Sequence, residues 1–282
     1  MTLRDAIRAA GMTPPEHIPM GRFVRFPGAE KKRGNTAGWC IQISPTVAAF
    51  GDWSTGLSST WHDTTHVDTT ESRQQIEHAR ALQRRHRAET LQRQQQAAAT
   101  AREIVRQAKP ATHPYLARKG FPAACGLVHE GKLVVPMRDA QQYDQIASAQ
   151  MIDANGEKRF LPGGRASGTA FRLGAPIASA RHIVLCEGYA TGLSLQAALQ
   201  LLPGPSAVLV CFSANNLQTV AQWFPKAVVA ADNDHSATGQ RAAEATGLRW
   251  TMPWDVGTDF NDLHIGKGIY RVVERMRELL AA

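Results

Sequence analysis

Carboxylates follow directly on apolar runs near the C-terminus, and this pattern constrains the fold more than any other feature of the chain. The runs 182–186 and 227–231 lack the alternation of a half-exposed strand, so each predicts a strand buried on both faces of a parallel sheet. Glu187 follows the first run and Asp232 follows the second. Because burying a carboxylate in a core is costly, we expect these side chains in the crevice at the carboxyl edge of the sheet, where doubly wound proteins place their chemistry.

The acidic residues at these strand ends have the composition of a divalent-metal site. Asp232 and Asp234 lie two residues apart and would share a side of an extended segment. Mg²⁺ prefers hard oxygen ligands and keeps several of its waters, so a few carboxylates suffice to hold it. The two aspartates are therefore predicted ligands, with Asp259 or Asp262, from the acidic segment 255–262, as a third.

Glu187 has two predicted roles in such a site. It is either a further metal ligand or the proton acceptor for an attacking hydroxyl. Taken alone, a carboxylate at this position would also fit the N-terminal end of a helix, where the helix dipole favours negative charge. The acidic residues in three separate segments favour the metal site over that simpler explanation.

Strand and helix patterns alternate regularly from residue 181 to the end of the chain. Such alternation implies a compact α/β layer with right-handed crossovers. The predicted strands are 182–186, 207–212, 227–231 and 249–252. The predicted helices are 191–202, a short one ending at Trp223, 238–246 and 269–280.

The N-terminal segment 1–63 has a different character, with short apolar alternations such as 38–43 between glycines. This pattern predicts a small β-rich module. Its tryptophans, Trp39, Trp53 and Trp61, would either fill the core of that sheet or stack on nucleic-acid bases. We favour the core interpretation.

A single long helix is predicted from Thr69 to Ala108, because Gln, Arg, Ala and Glu dominate there and neither Gly nor Pro occurs. Large aliphatic residues are too sparse for the heptad seam of a coiled coil. Its middle is strongly basic. A solvated connector is the favoured interpretation, and a rod that contacts nucleic acid is the alternative.

The segment 157–165 is basic and follows a predicted turn at 153–156. It carries Lys158, Arg159 and Arg165 together with two adjacent glycines. Backbone amides freed by glycine, beside several cations, suit a phosphate or a triphosphate. An ordinary hairpin with solvated charges would show the same pattern, so this segment alone does not decide between them.

The chain carries a formal net charge of +8. A basic surface combined with a local acidic cluster suggests a polyanionic partner that is met through bridging cations. A surface charge that only promotes solubility explains the composition equally well, so both explanations remain open.

The four cysteines lie far apart in the sequence, so neither a zinc site nor a disulfide is expected. Cys186 and Cys211 fall in predicted buried strands and are expected to be small core residues. The N-terminus lacks the apolar stretch of a signal peptide, and no run approaches the length of a membrane span. We therefore expect a cytoplasmic protein without a membrane partner.

The acidic motifs resemble those of TOPRIM domains, which are shared by bacterial primases, type IA and type II topoisomerases, recombination-repair proteins and some nucleases. Residues 185–191, with the sequence LCEGYAT, resemble the primase version of the first motif. The sequence DND at 232–234 resembles the second motif. Residues 257–263, with the sequence GTDFNDL, resemble the closing motif in primases of plasmids and phages.

The resemblance extends upstream and covers about residues 111–265, including a stretch that looks like the primase subdomain preceding TOPRIM. It implies an α/β fold: a TOPRIM (Rossmann-like) parallel sheet with a preceding primase-type α+β subdomain, a long helix and the small β-rich module. In such primases a zinc ribbon stands where this chain has its N-terminal module, but the zinc ligands are missing here. The implied segments are 1–63 (β-rich module), 64–110 (basic helical linker), 111–180 (primase-type basic subdomain) and 181–282 (TOPRIM domain).

The function implied by the resemblance is that of a DNA primase-like nucleotidyltransferase of a mobile element such as a plasmid or phage. It would synthesise short RNA primers on single-stranded DNA from ribonucleoside triphosphates with Mg²⁺ or Mn²⁺, and a replicative helicase is a candidate partner. The implied catalytic residues are Glu187, Asp232 and Asp234. The implied nucleotide or DNA contacts are Lys158, Arg159 and Arg165, with Arg138 as a further candidate.

Two other functions remain open. A metal-dependent nuclease could use the same fold, since the same cation can direct water at a phosphodiester. A non-catalytic DNA-binding accessory protein would keep the acidic pocket without its activity. The chain has no Walker A motif and no dinucleotide fingerprint, so a helicase or ATPase activity is not expected. His235 and His264 flank acidic motifs and are interpreted as rim residues.

Overall fold

The structure of the chain is a computed structural model that describes residues 1–31, 34–63 and 70–281, with only the backbone for part of 70–86. It divides into two compact units, Met1–Gln92 and Arg93–Ala282. The predicted linker start at residue 64 and the predicted helix start at Thr69 lie outside the described residues. The division of the sequence into four segments stays a prediction.

The first unit contains the small β-rich module that the sequence predicts. Helix α1 begins at a capping box, in which Thr2 and Asp5 bond each other's backbone amides. The helix buries Ile7 against Phe26 and Phe50 of the sheet. The elements are α1 (Leu3–Ala9), β1 (Phe23–Phe26), β2 (Gly38–Ser44), β3 (Val47–Asp52) and β4 (Leu57–His62), and the strands pair antiparallel in the order β1-β2-β3-β4.

The three tryptophans of this module lie in different environments. Trp61 belongs to the core under α1, and its indole N–H donates to the carbonyl of Met1 at 2.9 Å. Trp39 is also buried and stacks on Trp53 with ring centroids 6.0 Å apart. Gly51 permits this arrangement, because a Cβ there would lie 2.9 Å from the Trp39 ring. Burial agrees with the core interpretation for Trp39 and Trp61, whereas 39% of Trp53 is exposed.

Helix α2 (Thr70–Gln107) is the predicted long helix, but it is not solvated along its whole length. Ala101 is fully buried against Val134 and Ala149, and Ile104 and Val105 pack beside it. The interpretation as a solvated connector is therefore wrong for the C-terminal turns. Ala101 is the fully buried residue of α2 in this contact, and a search for large aliphatic residues overlooks it.

In the described part of the second unit, one sheet of ten strands forms the frame. Its order is β14-β13-β11-β12-β10-β7-β6-β5, with β8 paired to β7 and β9 to β8. The strands are β5 (Lys109–Ala111), β6 (Gly126–His129), β7 (Lys132–Asp139), β8 (Ile146–Ile152), β9 (Lys158–Phe160), β10 (Thr169–Gly174), β11 (His182–Cys186), β12 (Ser206–Val210), β13 (Val228–Ala230) and β14 (Trp250–Thr251). The helices are α3 (Pro114–Arg118), α4 (Tyr189–Leu199), α5 (Ala214–Ala221), α6 (Thr238–Ala245), α7 (Phe260–Lys267) and α8 (Ile269–Ala281), with a 3₁₀ turn at Ile177–Ser179.

Strands β11 to β14 form the parallel half of this sheet, which confirms the predicted α/β layer. Cys186 at the end of β11 is in register with Val210 on one side and Ala230 on the other, so three strands end at the same edge. Strand β10 runs antiparallel to β12 and joins this half to the antiparallel strands of the preceding subdomain. Within the described residues, no helix has the length and apolar character that crossing a bilayer requires.

Helices cover both faces of the parallel strands, which is why these strands are apolar without alternation. Val184 packs on one face with Leu195 of α4 and Met276 of α8. Leu185 points to the other face and packs with Leu217 of α5. Helix α7 is an element that the sequence did not predict, because its first turn lies in a segment interpreted as acidic ligands.

Asn216 fixes the loop after β12 to the sheet. Its amide group donates to the carbonyls of Thr169 at 2.7 Å and Cys211 at 2.6 Å, and its Oδ1 accepts from the amide of Gly168 at 2.7 Å. The side chain is buried, so each of these groups would lack a partner without it. Asn216 therefore connects β10 to the end of β12.

We expect Asn216→Ala to lower the free energy of unfolding by about 3 kcal/mol, because buried backbone groups lose their partners. Asn215→Ala is the matched control, since Asn215 is exposed on the same helix and its loss should change stability by less than about 0.5 kcal/mol. Urea unfolding midpoints at equal slope measure both changes. Equal stability of the two variants would contradict the structural role of Asn216.

Candidate metal centre

Glu187 and Asp232 lie at the aligned ends of strands β11 and β13, which we call the acidic edge. Glu187 directly follows β11, and Asp232 follows β13 after one residue. Asn233 ties this edge to the loop after β14, because its amide donates to the carbonyl of Thr258 at 3.0 Å and its carbonyl accepts from the amide of Gly257 at 2.6 Å. Two loops that are distant in the sequence are thereby held side by side.

The pKa of Asp232 is affected by the charges of several other site residues. Its Oδ1 is buried and has no hydrogen-bond partner among the described residues. The pKa of Asp232 is raised to about 8: burial is the largest cause, the carboxylates of Asp259, Glu187 and Asp234 contribute, and the Lys158 ammonium opposes them. A buried oxygen among like charges is stabilised by a proton or by a cation.

Glu187 shares this environment. Burial raises the pKa of its carboxyl group, and Asp234 adds to the rise. The Lys158 ammonium and the amide of Ala214, the first residue of α5, act in the opposite direction. Glu187 therefore holds a proton more readily than a solvated glutamate does, which suits a group that accepts one.

Asp234 is bound to its own turn at the start of α6. Its Oδ1 accepts from the amide of Ser236 at 2.8 Å and of Thr238 at 3.2 Å, and its Oδ2 accepts from the amide of Gly239 at 2.8 Å. Burial raises the pKa of Asp234, but these bonds and that of the Ser236 hydroxyl outweigh it and lower the pKa to about 2. Asp234 is therefore a charged side chain with a structural role at this turn.

Gly239 allows α6 to begin close to the strand end. A Cβ at this position would lie 2.3 Å from the carbonyl oxygen of Asp232. Any other residue would push the helix away from the acidic edge.

Asp259 and Asp262 form a capping box at the start of α7. Asp259 Oδ1 accepts from the amide of Asp262 at 2.8 Å, and Asp262 Oδ2 accepts from the amide of Asp259 at 3.1 Å. Asp259 is half-buried, and its charge raises the pKa of Asp232 more than that of any other carboxylate does. Asp262 is exposed. Of the two candidates for a third ligand, the structure brings Asp259 to Asp232.

The donor set at this edge fits a hard divalent cation. It consists of carboxylate oxygens, and one of them, Asp232 Oδ1, is buried without a partner in the described residues. Among those residues, no group of three or more His, Cys, Asp or Glu side chains is placed to hold a metal ion together. Mg²⁺ is commonly bound by one or two carboxylates together with waters and substrate phosphates, so a closed protein set is not required.

Of the predicted basic contacts, Lys158 is the one whose charge acts on the carboxylates of Glu187 and Asp232. It is exposed on β9, which pairs with β8, so the start of the predicted loop is a strand. Arg159 is also exposed and forms an ion pair with Glu157 at 2.7 Å. Lys158 is thus placed to meet a negatively charged group at the acidic edge.

Arg165 and Arg138 are engaged in local contacts. Arg165 forms an ion pair with Asp139 at 2.7 Å and donates to the carbonyl of Ser167 at 2.8 Å. Arg138 donates to the carbonyl of Tyr143 at 3.2 Å, and its guanidinium lies 5.5 Å from the centre of that ring. Both side chains hold the loops on which they lie.

His264 lies in a buried polar network. Its Nδ1 lies 3.1 Å from the hydroxyl of Ser194, which also accepts from the amide group of Asn261 at 3.0 Å. Burial lowers the pKa of His264. His264 is half-buried and His235 is exposed, so the interpretation of both as rim residues stays a prediction.

Tyr115 was not predicted as a site residue, yet its hydroxyl is buried and has no partner among the described residues. Burial raises its pKa to about 12, and the charge of Asp259 contributes to the rise. Tyr115 is far from the acidic motifs in the sequence, and no motif marks it.

The pKa values of Asp232 and Asp234 are shifted in opposite directions, so replacing each by asparagine should change the stability of the fold in opposite directions. The folded protein keeps a proton on Asp232 up to about pH 8, whereas the unfolded chain loses it near 3.8, so stability falls as pH rises between these values. Without metal, we expect Asp232→Asn to be more stable than the wild type at about pH 8.5, with a smaller difference at about pH 5. Thermal unfolding at several pH values measures this.

Asp234→Asn is the matched variant. The lowered pKa of Asp234 stabilises the fold above the ordinary value of 3.8, and this stabilisation is lost as pH falls towards about 2. The variant should therefore be less stable than the wild type at neutral pH. A metal-free Asp232→Asn protein that is less stable than the wild type at about pH 8.5 would contradict the buried acidic cluster.

Comparison with known proteins gives a family match for this region. Residues 182–269 match the Toprim domain. Among solved structures, the chain is similar to one in the complex of bacteriophage T7 lagging-strand DNA polymerase with the primase domains of two gp4 subunits bound to an RNA/DNA hybrid and dTTP. The identity is 16% and the TM-score 0.42, over 60% of this chain and 91% of that chain.

Two further solved structures are matched over a smaller share of their own length. A DNA primase domain from Pseudomonas aeruginosa is 13% identical with a TM-score of 0.36, over 56% of this chain and 54% of that chain. The DnaG catalytic core is 14% identical with a TM-score of 0.37, over 52% of this chain and 53% of that chain. The chain thus covers about half of each of these two. The family match and the strand-end geometry together identify residues 182–269 as a Toprim domain, and it carries the acidic residues described above.

Proposed function

We propose that the chain is a DNA primase-like nucleotidyltransferase that joins ribonucleotides on single-stranded DNA. The observation that supports this most is the buried oxygen of Asp232, which has no hydrogen-bond partner among the described residues and on which the charges of other carboxylates and of Lys158 act. Such a site gains from a divalent cation and from the anionic substrate that the cation brings. The net charge of +8 suits a polyanionic template.

In this proposal the residues of the acidic edge have different chemical roles. Asp232 and Asp259 hold the Mg²⁺ or Mn²⁺ ion, with Asp234 beside them. Bound there, the ion would neutralise phosphate oxygens and keep the attacking hydroxyl and the leaving pyrophosphate in line.

Glu187 accepts the proton of the attacking primer hydroxyl, since its raised pKa makes it a better base than a solvated glutamate. Lys158 provides a positive charge for the triphosphate of the incoming nucleotide. Arg159, which is exposed next to it, faces the template or the nucleotide. A helicase partner stays a prediction from the resemblance.

We expect Asp232→Ala to reduce template-dependent dinucleotide synthesis at least about 100-fold, because even groups that only support metal ligands account for 10–100-fold in activity. Synthesis from labelled ribonucleotides on single-stranded DNA with Mg²⁺ or Mn²⁺ measures this. Asp144→Ala is the matched control, because Asp144 is an exposed aspartate outside the acidic edge. Its synthesis should equal that of the wild type.

The same protein distinguishes the alternatives when it is incubated with labelled single- and double-stranded DNA and metal, without nucleotides. Cleavage of the DNA with no synthesis in the first assay would contradict the primase proposal and identify a nuclease. Tight DNA binding with neither reaction would identify an accessory protein. Full synthesis by Asp232→Ala would show that the catalytic site lies elsewhere.

A further inference from the structure

Tyr115 lies on the short helix α3, upstream of the Toprim region, and is held rigidly. Its amide donates to Nδ1 of His113 at 3.2 Å, and Nε2 of that histidine lies 3.1 Å from the carbonyl oxygen of Gly131. Only 3% of the tyrosine is exposed, and its ring belongs to the core cluster that includes Tyr189 and Phe260. The ring therefore has one defined position against the sheet.

The ring of Tyr115 lies beside the acidic residues, because its core cluster includes Tyr189, two residues after Glu187, and Phe260, directly after Asp259. Burial is the largest cause of the raised pKa of its hydroxyl, and the charge of Asp259 contributes to the rise, while the Arg118 guanidinium opposes it. No hydrogen-bond partner for this hydroxyl exists among the described residues. Buried hydroxyls are normally satisfied, so a neutral donor at this place is suited to an oxygen that arrives with a ligand.

The ring of Tyr115 is in contact with the strand that carries Lys158. The Nζ atom of Lys158 lies 5.9 Å from the ring centroid, within the range of a cation–π interaction. The turn before this strand packs on the same ring, because a Cβ at Gly156 would lie 3.4 Å from Tyr115 Cδ2. A lysine has many rotamers, and an aromatic face below its ammonium selects among them.

We propose that Tyr115 is a positioning residue of the candidate metal centre. Its ring holds the Lys158 ammonium towards Glu187 and Asp232, and its hydroxyl donates to a water or phosphate oxygen bound beside Asp259. This inference rests on the proposed function for the identity of the ligand, a nucleoside triphosphate with a divalent cation. It assigns a role to the subdomain before the Toprim domain, since α3 and β9 both belong to that part of the chain.

Two substitutions separate the hydroxyl from the ring. Tyr115→Phe keeps the aromatic face and removes the hydroxyl, whereas Tyr115→Leu removes both. Tyr270→Phe is the control for the loss of a hydroxyl, because Tyr270 is 75% exposed. Binding is measured by calorimetry with Mn²⁺ and a non-hydrolysable ATP analogue, and the melting temperature of the metal-free protein is measured in parallel.

We expect Tyr115→Phe to weaken binding of the analogue about 3- to 10-fold, which corresponds to one lost hydrogen bond. Its metal-free melting temperature should equal or exceed that of the wild type, because an unpaired buried hydroxyl is removed. Tyr270→Phe should leave both quantities unchanged. Binding by Tyr115→Phe equal to that of the wild type would overturn the role of the hydroxyl.

A double-mutant cycle with Lys158→Ala tests the ring. This substitution should weaken binding at least about 10-fold in the wild type and in Tyr115→Phe, but less than about 3-fold in Tyr115→Leu, where the ammonium is no longer held. A loss that is the same in all three backgrounds would overturn the positioning role. A merely structural tyrosine would not produce this coupling.

The binding measurements are separate from the proposed reaction. If the wild type binds the analogue but makes no primer, the proposed function fails and the role of Tyr115 is still decided by the cycle. If the wild type binds no analogue with Mn²⁺, the inference about Tyr115 is overturned.

Discussion

The register between β11 and β13 places carboxylates from distant parts of the chain around one buried oxygen. Cys186 pairs with Ala230, so Glu187 and Asp232 leave the sheet at the same edge. Asn233 then holds the loop that brings Asp259. Burial, together with the charges of Asp259, Glu187 and Asp234, raises the pKa of Asp232 to about 8. The arrangement is unfavourable without a counter-charge, and it is therefore the kind of site that a cation or an anionic substrate with its cation would occupy.

The structure separates acidic residues that look equivalent in the sequence. Asp234 and Asp262 direct their oxygens to the starts of α6 and α7, where backbone amides need acceptors. Asp232 has a buried oxygen without such a partner in the described residues. The capping residues fix the two helices, and the helices in turn fix the loops of the site. Asp259 combines both roles, since it caps α7 and its charge acts on Asp232.

The strands and the strand-end carboxylates could be predicted because apolar runs buried on both faces leave a direct mark in the sequence. The capping role of Asp262 could not, since an aspartate three residues after another suits both a metal site and a helix start. The packed turns of α2 were missed because alanines such as Ala101 form the buried surface. Tyr115 was missed because its position depends on contacts between residues far apart in the chain, and neither periodicity nor spacing records these.

The most direct test of the account is a crystal structure with Mn²⁺, whose anomalous scattering locates the ion. We expect one ion bound to Asp232 Oδ1 with Asp259 or Glu187 within its coordination sphere, and loss of that ion in Asp232→Asn. Carboxylates of Glu187, Asp232 and Asp259 that face separate surfaces, with no Mn²⁺ among them, would contradict it.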